Sequence, residues 1–157
     1  MRHSLEVPIP EAGGWQVDDR STPWLVLRHP PTSSVLEPRT WRAPRLVERR
    51  ECERQARLWR PDIPAAEPES VVERRPLAAP ADHATEIVVG VGPAPQAGGL
   101  RGYALAFGAT VHRCYALVYT THARGTGAET AIARRLGLVA DEIAPRVRLR
   151  SIDERVR

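Results

Sequence analysis

Two stretches late in the chain alternate large and small residues with a period of two. Leu100–Ala109 sets Tyr103, Leu105 and Phe107 against Gly102, Ala104, Ala106 and Gly108. Val111–Thr121 repeats the layout, with Tyr115, Leu117 and Tyr119 against Cys114, Ala116 and Val118. Successive residues of a strand point to opposite faces. Both stretches are therefore predicted strands, and the three tyrosines and the single phenylalanine are expected together on one face. The small-residue face suits a closely packed helix. The large face is either covered as well or used for binding.

Shorter alternations at His3–Ile9, Trp15–Asp18, Trp24–His29, Ser34–Arg42, Ser70–Leu77 and Thr85–Val91 predict further strands. Pro38 belongs at an edge or bulge, because proline has no amide to donate to a ladder. Pro61–Pro68 reads as a loop, and Gly92–Gly99 as a hairpin loop. Arg45–Trp59 is a predicted helix with Cys52, Ala56 and Trp59 on a narrow buried stripe. Its Glu48, Arg49, Glu51, Glu53, Arg54 and Arg57 form a solvated face with intrahelical pairs. Thr126 and Glu129 make a capping box for the last helix. Its apolar face runs through Ala128, Ile132, Leu136, Val139 and Ile143 to a stop at Pro145. Residues 146–157 read as a short terminal strand or a tail. The fold class is α+β: a largely antiparallel β-sheet of about six to seven strands flanked by two long helices, in one domain over 1–157.

This order of elements, with Gly13, Gly14 and Trp15 after the first strand, Val71–Arg75 opening the second half of the sheet, and a final amphipathic helix running into an Arg/Val/Leu segment, resembles the PsbP-like superfamily. That superfamily includes the photosystem PsbP subunits, Mog-type Ran-binding proteins, DcrB-like lipoproteins and Eag-type effector chaperones. The resemblance is one of layout, from His3 to about Leu149, and carries no active site over. It implies an α/β/α sandwich that works by binding protein partners, without catalysis or cofactors.

All 23 basic residues are arginine, and lysine and asparagine are absent. Arginine-only usage suits bidentate phosphate or carboxylate recognition; a GC-rich bacterial genome produces the same bias and is the simpler explanation. The net charge of +4 permits weak attraction to polyanions, without specific recognition. No stretch reaches the ~20 apolar residues of a membrane span, and residues 1–20 lack a signal-peptide core. The chain as given reads as cytoplasmic, or as periplasmic or exported if a leader was trimmed.

Cys52 and Cys114 are the only cysteines. They lie on faces that a helix crossing a strand could bring together, as a disulfide or as two buried thiols acting as small hydrophobes; the balance leans slightly to free thiols. His112, Cys114 and His122 share parity but offer at most two convergent ligands, so no metal is expected. Asp82, His83 and Glu86 lie at a loop–strand junction without a nucleophile motif. The Gly-rich run to Gly99 lacks the helix and Lys/Ser pair of a phosphate loop. Arg49/Arg50, Arg74/Arg75, Arg134/Arg135 and Arg146/Arg148/Arg150 lack interleaved aromatics, and the last group reads as a solvated edge that discourages strand pairing.

The expectation is a non-catalytic protein-binding module, a small chaperone or adaptor that engages an apolar segment through Tyr103, Phe107, Tyr115, Leu117 and Tyr119. Plain core is the competing reading of those five side chains. The functional alternatives are an exported envelope domain held by Cys52–Cys114 and a small-ligand carrier with a pocket on the aromatic face. Oxidised cysteines would favour the exported domain.

Overall fold

The computed structural model describes residues 2–7, 13–18, 25–42, 46–63, 71–77, 84–94, 98–110 and 112–152. Its main sheet has seven strands, all paired antiparallel: β2 (Gln16–Val17), β3 (Leu27–His29), β4 (Ser34–Arg42), β5 (Val71–Pro76), β6 (Ala84–Pro93), β7 (Leu100–Thr110) and β8 (Arg113–Ala123), in the order β2-β3-β4-β8-β7-β6-β5. Two meanders, β2–β4 and β5–β8, are joined by helix α1 (Arg49–Trp59), which carries the chain to the far edge. β1 (Arg2–Glu6) pairs with β9 (Arg148–Ile152) in a separate two-stranded sheet. The segment at 148–152 is thus a paired strand, with Glu6 opposite Arg148. The arginines there do not keep the segment from pairing, contrary to expectation, and Arg146 lies outside the strand in a 3-10 turn.

The two central strands are buried on both faces, from Gly102 to Ala109 and from Cys114 to Thr121. On one face α1 packs through Ala56 against Val88, Tyr103, Leu105, Phe107, Ala116 and Val118. On the other, helix α2 (Ala128–Leu138) packs through Ile132 and Leu136 against Ile87, Val89, Ala104, Ala106, Leu117 and Tyr119. The expected stripe is borne out: Ala128, Ile132, Leu136, Val139 and Ile143 are all buried.

The two long helices are not found. Each helix has 11 residues. The last one continues through a π turn at Val139–Ile143 and a 3-10 turn at Ala144–Arg146, which contains Pro145. Nor does Thr126 cap it: Gly127 takes the N-cap position at φ 84°, with no side-chain cap bond. A left-handed backbone there suits glycine. Pro38 sits in β4 beyond the three residues that pair with β3, where no described strand pairs with the outer side. That is the edge a proline needs.

Candidate functional site

The aromatic side chains do not share a face. In the β7–β8 hairpin the last pair is Thr110 with Arg113, two residues apart in the turn, and every pair up the ladder joins opposite parities. Tyr103 therefore lies beside Thr120, Phe107 beside Ala116, Tyr115 beside Gly108 and Tyr119 beside Ala104. Tyr103, Leu105 and Phe107 point to α1, whereas Tyr115, Leu117 and Tyr119 point to the α2 side. Turn length sets register, and a shift of one residue exchanges the faces. The single face inferred from alternation required an odd-length turn. Large residues of each strand instead fill the space over small residues of the other. A β-carbon on Gly108 would meet the Tyr115 ring at 2.5 Å. All five candidate binding residues are buried, none more than 4% exposed, and they form core on two faces rather than one docking surface.

The cysteines are joined. Cys52 of α1 bonds Cys114 of β8, with 5.2 Å between their α-carbons and 62 positions between them in sequence. This corrects the leaning towards free thiols. The bond is buried with Ala109 and flanked by Trp41 and Val47. Trp41 is the strand partner of Cys114, so the crosslink ends beside the outer part of β4.

There a half-buried cluster comes to the surface. The Trp41 and Trp59 rings meet edge to face at 5.7 Å. The Arg39 guanidinium lies 5.8 Å from the Trp41 ring and 5.4 Å from the Trp59 ring, within cation–π range. Arg60, immediately after α1, bonds Glu37 and also Asp62, at 2.8 Å. Arg60 holds both Asp62 oxygens, and Arg101 of β7 shares Oδ2 at 2.5 Å. The Arg60 hydrogen bond, with Arg101 in support, outweighs burial and holds the Asp62 carboxyl down to about 2. Sequence placed Trp59 on the α1 stripe but missed its partners. Arg39 and Trp41 become neighbours of Trp59 only once the β4–β8 register is known.

The charged face of α1 is tied to the sheet as well as to itself. Arg54–Glu51 and Arg57–Glu53 are the expected intrahelical pairs. Arg74 of β5 also bridges Glu53 at 2.6 Å and Glu86 at 2.5 Å, and Arg49 joins Glu86 at 3.3 Å. Burial opposes ionisation of Glu53, yet the hydrogen bonds from Arg74 and Arg57 hold its carboxyl below the ordinary range. Arg75 pairs with Asp141 beyond α2. Glu86 is thus a structural partner; Asp82 and His83 lie outside the described residues. Cys114 is committed to the disulfide, so the His112–Cys114 metal arrangement has no thiolate to offer.

A polar chain runs under the start of β4. The Tyr119 hydroxyl lies 3.0 Å from Ser34 Oγ, which is 2.7 Å from Thr32 Oγ1, itself 2.6 Å from His29 Nδ1. His29 Nε2 is 3.0 Å from the Gly13 carbonyl. A carbonyl only accepts, so Nε2 donates a proton to Gly13. Arg135 of α2 donates to the Thr32 and His122 carbonyls and to Thr121 Oγ1, at 2.9–3.1 Å. Every member has a partner, and His29 and Ser34 are buried. This chain braces β3, β4, β8 and α2 together. The Thr32–His29 contact resembles a nucleophile and its base, but the second imidazole nitrogen is held by the Gly13 carbonyl rather than by a carboxylate.

No protein-family model and no curated protein matches the chain. Among solved structures, a protein from Bacteroides thetaiotaomicron is similar, with a TM-score of 0.52 and 9% identity over 94% of this chain and 45% of that one. The chain spans a little under half of that protein's length. At this identity the likeness concerns the fold.

Proposed function

We propose that this chain is a non-catalytic protein-binding module that works in an oxidising compartment and engages its partner through the Trp41–Arg39–Trp59 surface rather than through the core aromatics. The carrying observation is that surface: two tryptophans and an arginine, the residue types that dominate binding hot spots, grouped where the end of α1 meets the outer part of β4. A helix on either face of an antiparallel sheet is compatible with the PsbP-like α/β/α layout, whose members bind proteins. The buried Cys52–Cys114 bond supports the exported alternative over a cytoplasmic chaperone, since structural disulfides persist where thiols are not kept reduced. The carrier reading loses its support, because its lining tyrosines lie on opposite faces of the sheet.

Two measurements test the two halves. A photo-crosslinking residue at Leu58, which is exposed beside Trp59, should yield one discrete adduct in the producing cells, and Arg39→Ala should weaken it. The same probe at Leu138, at the end of α2, should yield none. Equal labelling at both positions, or at neither, overturns the binding surface. Intact mass after alkylation in denaturant should show two blocked cysteines that react only after reduction. Two thiols reacting without reductant overturn the compartment.

A further inference from the structure

Arg42 and Arg113 are direct cross-strand partners at the end of β4 and β8. Side chains so placed lie on the same face with β-carbons about 4.5–5.5 Å apart, where like charges repel. Neither arginine has a carboxylate partner among the described residues. Burial, and then the Arg42 charge, push the Arg113 guanidinium below its ordinary pKa, as expected of two cations without a counter-ion. The sequence around them is free of acid: residues 38–47 and 98–128 hold no aspartate or glutamate, while carrying Arg39, Arg45, Arg101 and Arg124 besides this pair. His112, exposed in the turn, adjoins Arg113. Arg28, Arg49, Arg54, Arg57, Arg60, Arg74, Arg75 and Arg101, by contrast, all sit on carboxylates. Two guanidinium groups held side by side by strand register form the kind of donor pair that a single anion could bridge.

The geometry points to a binding site for a phosphate-class oxyanion clamped between Arg42 and Arg113. Two planar guanidinium forks at this spacing offer four or more N–H donors to one tetrahedral anion. The site faces the α2 side of the sheet, since Arg42 shares its parity with Leu36, and so lies on the opposite face from the tryptophan surface. Binding there is independent of the protein-binding reading. The anion is either free phosphate or the phosphate of a lipid headgroup.

The test compares the intact oxidised protein with Arg42→Gln and Arg113→Gln in urea unfolding at constant ionic strength, with inorganic phosphate replacing chloride. A second arm measures co-sedimentation with phosphatidylcholine vesicles with and without phosphatidylglycerol. In chloride, each variant should have a higher midpoint than the parent, because the repulsion is gone. With phosphate, the parent midpoint should rise saturably, and each variant should need about tenfold more phosphate for the same rise, having lost one charge-assisted partner. A response to anionic vesicles but not to phosphate, lost in both variants, identifies the headgroup as the source. An equal phosphate response in all three proteins, or no response of the parent to either probe, overturns the site and leaves a solvated arginine pair.

Discussion

Gly102 lies directly beneath Ile132 of α2, and Gly102→Ala tests how tightly that contact is made. A β-carbon at this position would lie 2.4 Å from Ile132 Cγ2, 3.2 Å from Thr121 Cγ2 and 3.4 Å from Leu136 Cδ1. Apolar carbons rest about 3.5–4.0 Å apart, so the first contact is more than about 1 Å too short. Ile132 is wholly buried, and a β-branched side chain on a helix has essentially one χ1 rotamer. It cannot swing away, so α2 must lift or β7 must bend. We expect Gly102→Ala to cost about 1–3 kcal/mol, against the gain of up to ~1 kcal/mol that alanine brings over glycine in an unobstructed strand. Ile132→Ala removes the obstructing methyl and by itself costs about 2–5 kcal/mol. In the double variant the added methyl enters the vacated space, so the combined cost should fall short of the sum by about 1 kcal/mol or more. Urea unfolding of the four proteins, all oxidised and followed by circular dichroism, completes the cycle. Additive costs, or a neutral Gly102→Ala, would refute the claim that the shaved face exists to admit α2.

Replacing both cysteines by alanine should cost about 4 kcal/mol, the chain-entropy value for a loop of 62 positions. Reducing the parent protein should lower its urea midpoint to a similar extent, and the double variant should not respond to reductant at all. Asp62→Asn should destabilise modestly at neutral pH, since the carboxylate is partly exposed and its ion pairs are screened. The Asp62 carboxyl is held at about 2, below its ordinary value near ~4, so its contribution is complete above that ordinary value. The difference in midpoint between parent and variant should stay level from pH 7 to 5 and vanish as pH falls towards 2; a difference that grows with acid would contradict the sign. Tyr119→Phe should cost about 1 kcal/mol through the lost bond to Ser34. A cost below ~0.3 kcal/mol would mean that the Ser34–Thr32 chain is satisfied without the phenol.

Period-two alternation located the central strands, and the 3.6-residue stripe located the buried side of both helices, because each pattern is a local consequence of backbone geometry. The length of the last helix was less legible: the apolar stripe runs on to Ile143, but the backbone leaves α geometry after Leu138. Register was not legible at all. Alternation fixes which residues of one strand share a face, but not which face of its neighbour they join; that depends on the parity of the turn. The one error about Tyr115 and Tyr119 moved the whole candidate site. The Trp41–Arg39–Trp59 cluster was hidden for the same reason, since its members come from separate elements that only the β4–β8 pairing unites. The disulfide was half legible. The burial of Cys52 on its stripe was readable, but the position of α1 across β8 was not.

The hairpin turn between Thr110 and Arg113 also acts as a parity gate on oxidation. A one-residue slip of β8 in its ladder would turn Cys114 towards α2 and away from Cys52, so a slipped hairpin could not close the crosslink. Only the chain with the correct register can lose its two thiols, which makes disulfide closure a proofreading step for the central sheet. A variant whose hairpin settles one residue out of register should therefore be recognisable by two thiols that stay reactive in an oxidising buffer.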